Sequence, residues 1–99
     1  MKTFEDLQPG DKVFELFPDN TVGIYEISEI DQTETLTRTF VSFDIIKIIN
    51  SHRNWKYFTV RPPQMNQSHK YSAWFKSMIF ADEDDFLVEL KKRQNFSND

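Results

Sequence analysis

Three turn-forming clusters punctuate the first eighty residues of this chain: Gln8-Pro9-Gly10-Asp11, Pro18-Asp19-Asn20 and Pro62-Pro63. Their residues preset φ, tolerate left-handed backbone, or cannot donate to a sheet ladder. The runs between them are rich in β-branched and aromatic side chains, the composition of strands. A first strand is expected from about Lys12 to Phe17 and a second from Val22 to Ile30, with Asp31 to Glu34 closing a hairpin. A long extended run follows from Thr35 to Ile49. Its first half alternates, with Thr37, Thr39, Val41 and Phe43 on one face and Leu36, Arg38, Phe40 and Ser42 on the other. Its second half, DIIKII, is apolar on both faces, which predicts that Ile45–Ile49 is covered on both. Beyond a polar turn at Asn50–Asn54, a fourth strand is expected from Trp55 to Arg61, stopped by the two prolines. After a polar loop, a fifth is expected from Lys70 to Phe80.

The last segment, ADEDDFLVELKKRQNF, has a different grammar. Asp82 can cap a helix, and Glu83, Asp84 and Asp85 suit its positive N-terminal end. Lys91, Lys92 and Arg93 suit its negative C-terminal end. Phe86, Leu87 and Leu90 form a narrow apolar stripe, so the helix should lie on a surface. The two-sided strand at Ile45–Ile49 is the expected place for it. The chain therefore reads as a single domain over residues 1–99, with a barrel over about 12–80 and a helix over about 82–95. The fold class is mainly β: a five-stranded, strongly curved barrel with a C-terminal α-helix, since small sheets manage their edges by closing.

The stretch DLQPGDKVFEL, residues 6–16, resembles the opening of SH3-like barrels of the KOW and Tudor kind, in which a Gly-Asp turn precedes a strand patterned like Lys-Val-x-x. The resemblance covers about a tenth of the chain. It implies an SH3-like barrel, a scaffold mostly used to bind nucleic acid, peptides or protein surfaces and seldom used for catalysis. An OB-like barrel is the competing architecture.

Composition narrows the functions. The chain has no Cys, which excludes a disulfide framework, a thiol nucleophile and a thiolate zinc site. No apolar run approaches the roughly 20 residues of a membrane span, and the N-terminus lacks a signal-like apolar segment. A cytoplasmic protein with no membrane partner is expected. The net charge of −4 is unevenly distributed. Residues 1–44 carry ten acids against three bases. Residues 45–81 carry six bases (Lys47, Arg53, Lys56, Arg61, Lys70 and Lys76) and no acid. Residues 82–99 carry six acids against three bases. The middle is thus basic and aromatic between two acidic ends.

That middle contains two similar stretches, SHRNWKYF from Ser51 and SHKYSAWF from Ser68. If the strands that follow them pair as a hairpin, His52 and His69 lie at opposite ends, separated by roughly 23 Å for a seven-residue strand at ~3.3 Å per residue. They should then share neither a metal nor a proton, and both are expected to be solvent-facing loop histidines. Adjacent Ser and His on an extended segment point to opposite faces, and no G-x-S-x-G elbow or P-loop is present. The Asp82–Asp85 acids read as a helix start rather than a calcium loop. Glu26, Glu29, Asp31 and Glu34 read as a solvated acidic edge. No catalytic residue, cofactor or metal is expected.

On the fourth strand, Lys56, Phe58 and Val60 read as the core face and Trp55, Tyr57, Thr59 and Arg61 as the outer one. On the fifth, Ala73, Phe75 and Ile79 read as core, leaving Trp74 and Lys76 outward. Trp55, Tyr57, Arg61, Trp74 and Lys76 are accordingly the candidate partner-binding residues, if the C-terminal helix does not cover them. The expectation is a non-enzymatic, regulatory binding module of phage or bacterial accessory type that takes a protein partner. The alternative is a nucleic-acid module that uses the basic aromatic segment 47–76. An exposed patch of this kind can also drive homo-oligomer formation.

Overall fold

The computed structural model describes residues 1–34, 39–50, 56–73 and 75–97. It has six strands and one helix: β1 (Lys12–Leu16), β2 (Val22–Glu34), β3 (Thr39–Asn50), β4 (Tyr57–Val60), β5 (His69–Ser72), β6 (Ser77–Phe80) and α1 (Glu83–Ser97). Short 3-10 turns occupy Phe4–Asp6 and Pro62–Gln64. All strand pairings are antiparallel, in the order β4-β3-β2-β1-β6-β5, and the sheet curls into a nearly closed barrel. The expected architecture, a mainly β barrel followed by a helix, is therefore present, with six strands in place of five.

The turns do what their residues allow. Gly10 adopts φ +95°, and its N–H donates to the Ile27 carbonyl at 2.7 Å, tying the turn before β1 to β2. Asn20 takes φ +69°, while the Asp19 carboxylate accepts from both the Thr21 N–H and its hydroxyl. The segment read as one fifth strand is instead the β5–β6 hairpin. Its turn holds no Gly, Pro or Asn, and Lys76 supplies the left-handed residue at φ +54°. The sequence therefore carried no ordinary turn signal there. The expected hairpin closure at Asp31–Glu34 is also corrected: β2 runs on through Glu34, paired with Thr39 of β3. The segments 35–38 and 51–55 of the expected third strand, polar turn and fourth strand lie outside the described residues.

The barrel interior is aromatic. Phe43 and Phe58 stack with centroids 4.9 Å apart, and Phe4 tilts against both at 6.3 Å. Leu7, Val13, Ile27, Val60 and Ile79 fill the remainder. Near Gly23 the interior turns polar. Glu15, fully buried on β1, accepts hydrogen bonds from the Tyr25 hydroxyl at 2.6 Å and the Ser77 hydroxyl at 2.5 Å. Two donors on a buried carboxyl group offset part of its desolvation. The Tyr25 ring lies over Gly23, where a Cβ would come within 2.8 Å of the ring carbon Cζ, so the bare backbone there makes room for the phenol.

The edge strands β4 and β5 do not pair with each other, contrary to the hairpin assumed from sequence. Their gap is bridged by Lys70, whose ammonium donates to the Thr59 carbonyl at 2.6 Å. The N-terminal segment also ties in, through Phe4 N–H to Gln67 and Glu5 N–H to Met65. Burial, and secondarily the nearby Arg61, hold the Lys70 pKa below the usual lysine value.

α1 packs on β1 and β6, not on β3. Phe86 stacks on Phe14 at 5.1 Å and meets Phe80 edge-on at 5.8 Å. The reason lies in β1: Val13 and Glu15 point into the barrel, while Phe14 and Leu16 present a second apolar face outward. The strand covered on both faces is thus β1. Ile46, expected under the helix, is 63% exposed; the side chains of Ile48 and Ile49 lie outside the described residues.

Candidate functional site

α1 is held at both ends. The Asp82 carboxylate caps the Asp85 N–H at 3.0 Å and accepts the Lys2 N–H at 2.9 Å. The Lys2 backbone hydrogen bond is the main reason the Asp82 pKa sits below the usual carboxylate value. Further along, the Arg93 guanidinium donates to the Phe17 carbonyl at 3.0 Å and to Glu89 at 3.3 Å. Arg93 was expected at the helix C-terminus. It instead sits inside a helix that continues to Ser97, and serves as a clamp to the β1–β2 turn.

These anchors fix the helix over β1 and one side of β6 and leave the outer face of β5 uncovered. On that face His69 pairs with Phe80 and Tyr71 with Met78. The His69 ring stacks on Phe80 at 5.5 Å. The result is an open groove of about 460 Å³ between the β5–β6 hairpin and the helix. Met78 and Phe80 form its floor, Val88, Asp85 and Glu89 its helical wall, and Met1 with residues 66–68 the opposite rim. Val88 is 66% exposed, Met1 on the opposite rim is exposed too, and Tyr71, across from Met78, is exposed on β5. Methionines make an adaptable apolar lining because their side chains are unbranched and polarizable. Leu87, expected within the buried stripe, is 47% exposed. The face actually packed on the sheet carries Phe86, Leu90 and Arg93.

The residues singled out from sequence are dispersed. Tyr57 is 60% exposed on the outer face of β4, beside exposed Lys56, and Arg61 is exposed just beyond that strand. Phe58 and Val60 point inward as expected, whereas Lys56 does not join them. Lys76 is exposed in the β5–β6 turn, and Ala73, expected in the core, is exposed as well. Ile79 is buried as expected and Phe75 is half-buried. Trp55 and Trp74 lie outside the described residues, as does His52. His69 is exposed as anticipated, but on β5 and in the groove rather than in a loop. Among the acids read as a solvated edge, Glu26 is half-exposed; the side chains of Glu29, Asp31 and Glu34 lie outside the described residues.

Sequence reasoning missed the groove because its floor and wall come from β6 and α1, whose juxtaposition is tertiary. One signal was available: Val88 is an apolar residue off the helix stripe. Lys70, counted in the basic middle but not among the candidate partner residues, joins Arg61 at the barrel gap.

No helix among the described residues is long and apolar enough to cross a membrane. Among the same residues, no group of three or more His, Asp or Glu is placed to hold a metal ion. Comparisons with protein-family models, with curated proteins and with solved structures give no match.

Proposed function

We propose that this chain is a non-enzymatic, cytoplasmic binding module of phage or bacterial accessory type, with a regulatory role exercised through a protein partner. The observation that carries this reading is the open apolar groove between α1 and the β5–β6 hairpin, which leaves Val88 and Met1 unburied around one concavity. Large apolar side chains gathered at one site are the usual mark of an interaction surface on a small domain. The resemblance of residues 6–16 to SH3-like barrels supports the same reading, because those barrels are mostly binding modules.

A second reading takes nucleic acid at the gap between β4 and β5. Tyr57 stands exposed beside Lys56 and in line with Arg61, and Lys70 lies close enough to Arg61 for the two cations to repel. A phosphate would relieve that repulsion.

The readings separate in one experiment. Immobilised chain is used to capture partner proteins and, separately, single-stranded oligonucleotides at low salt. The groove reading expects protein capture that Val88→Asp removes and Tyr57→Ala leaves intact. Capture lost in Tyr57→Ala or Arg61→Ala but retained in Val88→Asp would transfer the function to the basic face.

A further inference from the structure

The groove has a chemical polarity that names its occupant more closely, on the reading that it is the partner site. Its floor is apolar and its helical wall is acidic. Asp85 and Glu89 both line it, one helical turn apart. Glu89 shares its charge with Arg93. Among the described residues, the Asp85 carboxylate has no ion pair; Glu83 and Asp84, in the same first turn, line a separate concavity with Lys2 and Lys12. Among the described residues that line the groove, His69 carries the one titratable ring beside Asp85 and Glu89. Lys2 is turned away to Asp11 at 2.8 Å, and Arg93 is held by the Phe17 carbonyl and Glu89. Lys56 precedes β4, Arg61 follows it, and Lys70 lies on β5 and reaches across the barrel gap.

We infer that the groove receives a cationic peptide segment of a protein partner, which seats an apolar side chain over Met78 and Phe80 and sets a Lys or Arg against Asp85. Charge complementarity selects this occupant. A nucleic-acid strand or an anionic lipid surface would bring like charge against Asp85 and Glu89. A second copy of the chain docked groove to groove on a two-fold axis would bring the same acids of both copies to one place. A cationic segment satisfies the unpaired Asp85 carboxylate and covers the apolar floor in one step. Steering by the acidic helix start speeds its arrival.

The test uses the full chain with isotope-labelled methionine and valine methyls. The probes are short synthetic peptides that share the same apolar anchors and differ only in flanking residues: lysine, glutamine or glutamate. The lysine-flanked peptide is expected to shift the Met1, Met78 and Val88 methyl signals and to bind about tenfold or more tightly than the glutamate-flanked one at low salt, as for complementary rim charges. That difference should shrink toward about 0.5 M salt, where screening acts within roughly 4 Å. Asp85→Lys should reverse the order of the peptides. Val88→Asp, a change at an exposed position, should abolish binding of every peptide without loss of fold, and Arg61→Ala should change nothing. Equal binding by all peptides would overturn the cationic assignment and leave the groove reading standing. No methyl shift with any peptide would overturn both. Concentration-dependent self-association that Val88→Asp removes would show the groove filled by a second copy and overturn the inference.

Discussion

The barrel holds two apolar clusters on opposite faces of the same strands, and they are finished differently. Inside, Phe4, Phe43 and Phe58 meet one another while Val13, Ile27, Val60 and Ile79 close around them, so the interior is completed by the sheet and the N-terminal turn. Outside, Phe14, Leu16 and Phe80 are covered by a single helix through Phe86 and Leu90. A helix is narrower than a sheet face. The inner cluster therefore closes, and the outer one ends in an open groove beside Met78 and Val88. Both clusters bury apolar side chains, and the accessible apolar surface borders the second.

Breaking each cluster in turn tests this division. Phe43→Ala should have the largest effect, a loss of about 3–5 kcal/mol in urea or guanidinium unfolding, because a fully buried ring leaves a cavity with partners on every side. That is enough to unfold many domains of this size. Phe86→Ala should lose about 2–4 kcal/mol, yet far-UV circular dichroism should show the helical signal falling before the strand signal. Simultaneous loss of both would show that the helix is part of the barrel's cooperative unit. If the clusters are independent, Phe43→Ala and Phe86→Ala should add within about 0.5 kcal/mol when combined in a background stable enough to measure.

The next effect lies at the polar end of the inner cluster. Tyr25→Phe removes a donor from buried Glu15 and should lower stability by about 1–3 kcal/mol. Gly23→Ala should do at least as much, since its Cβ displaces the Tyr25 ring. If both substitutions are silent, the Tyr25–Glu15 hydrogen bond contributes nothing to the inner cluster.

The smallest effects concern the helix anchor on the outer cluster. The Asp11 pKa is lowered chiefly by the Lys2 side chain, and that of Asp82 chiefly by the Lys2 N–H. Both folded values lie below the unfolded value of about 3.9. Their contribution is therefore complete above that value and is lost as the pH falls through the folded pKa values. Asp82→Asn and Asp11→Asn should flatten the acid limb of a stability–pH curve. An unchanged acid limb in both variants would remove Lys2 as the strap that seats the helix start.

Much of the fold was legible locally. The turn at Gly10 and the strand starting at Lys12 follow from residues that act within a few positions. The inward pair of Phe58 and Val60 follows from strand alternation, and the helix start from the acids at its positive end. The turn at Lys76 was not legible, because a lysine in left-handed backbone leaves no compositional trace. Nor was the course of β2 through Glu34, since Asp31 to Glu34 resembles a turn but is held in a long ladder with β3. Of the candidate partner residues, Tyr57, Arg61 and Lys76 were correctly read as exposed, but nothing in the chain order showed that β4 and β5 are the two edges of the sheet.

The sequence by itself determined the class of structure: short strands separated by Pro, Gly and Asn turns, followed by one polarised helix. These depend on backbone preference and on periodicity, which act between near neighbours. Only the tertiary structure decided which strand the helix covers. Both β1 and β3 offered apolar residues on two faces, and pattern alone could not rank them. The choice went to β1 because Phe14 and Leu16 stand beside Phe80 on β6, and Phe86 can fill the space between Phe14 and Phe80. That placement, a matter of shape between residues distant in the chain, leaves Ile46 uncovered and opens the groove at Val88.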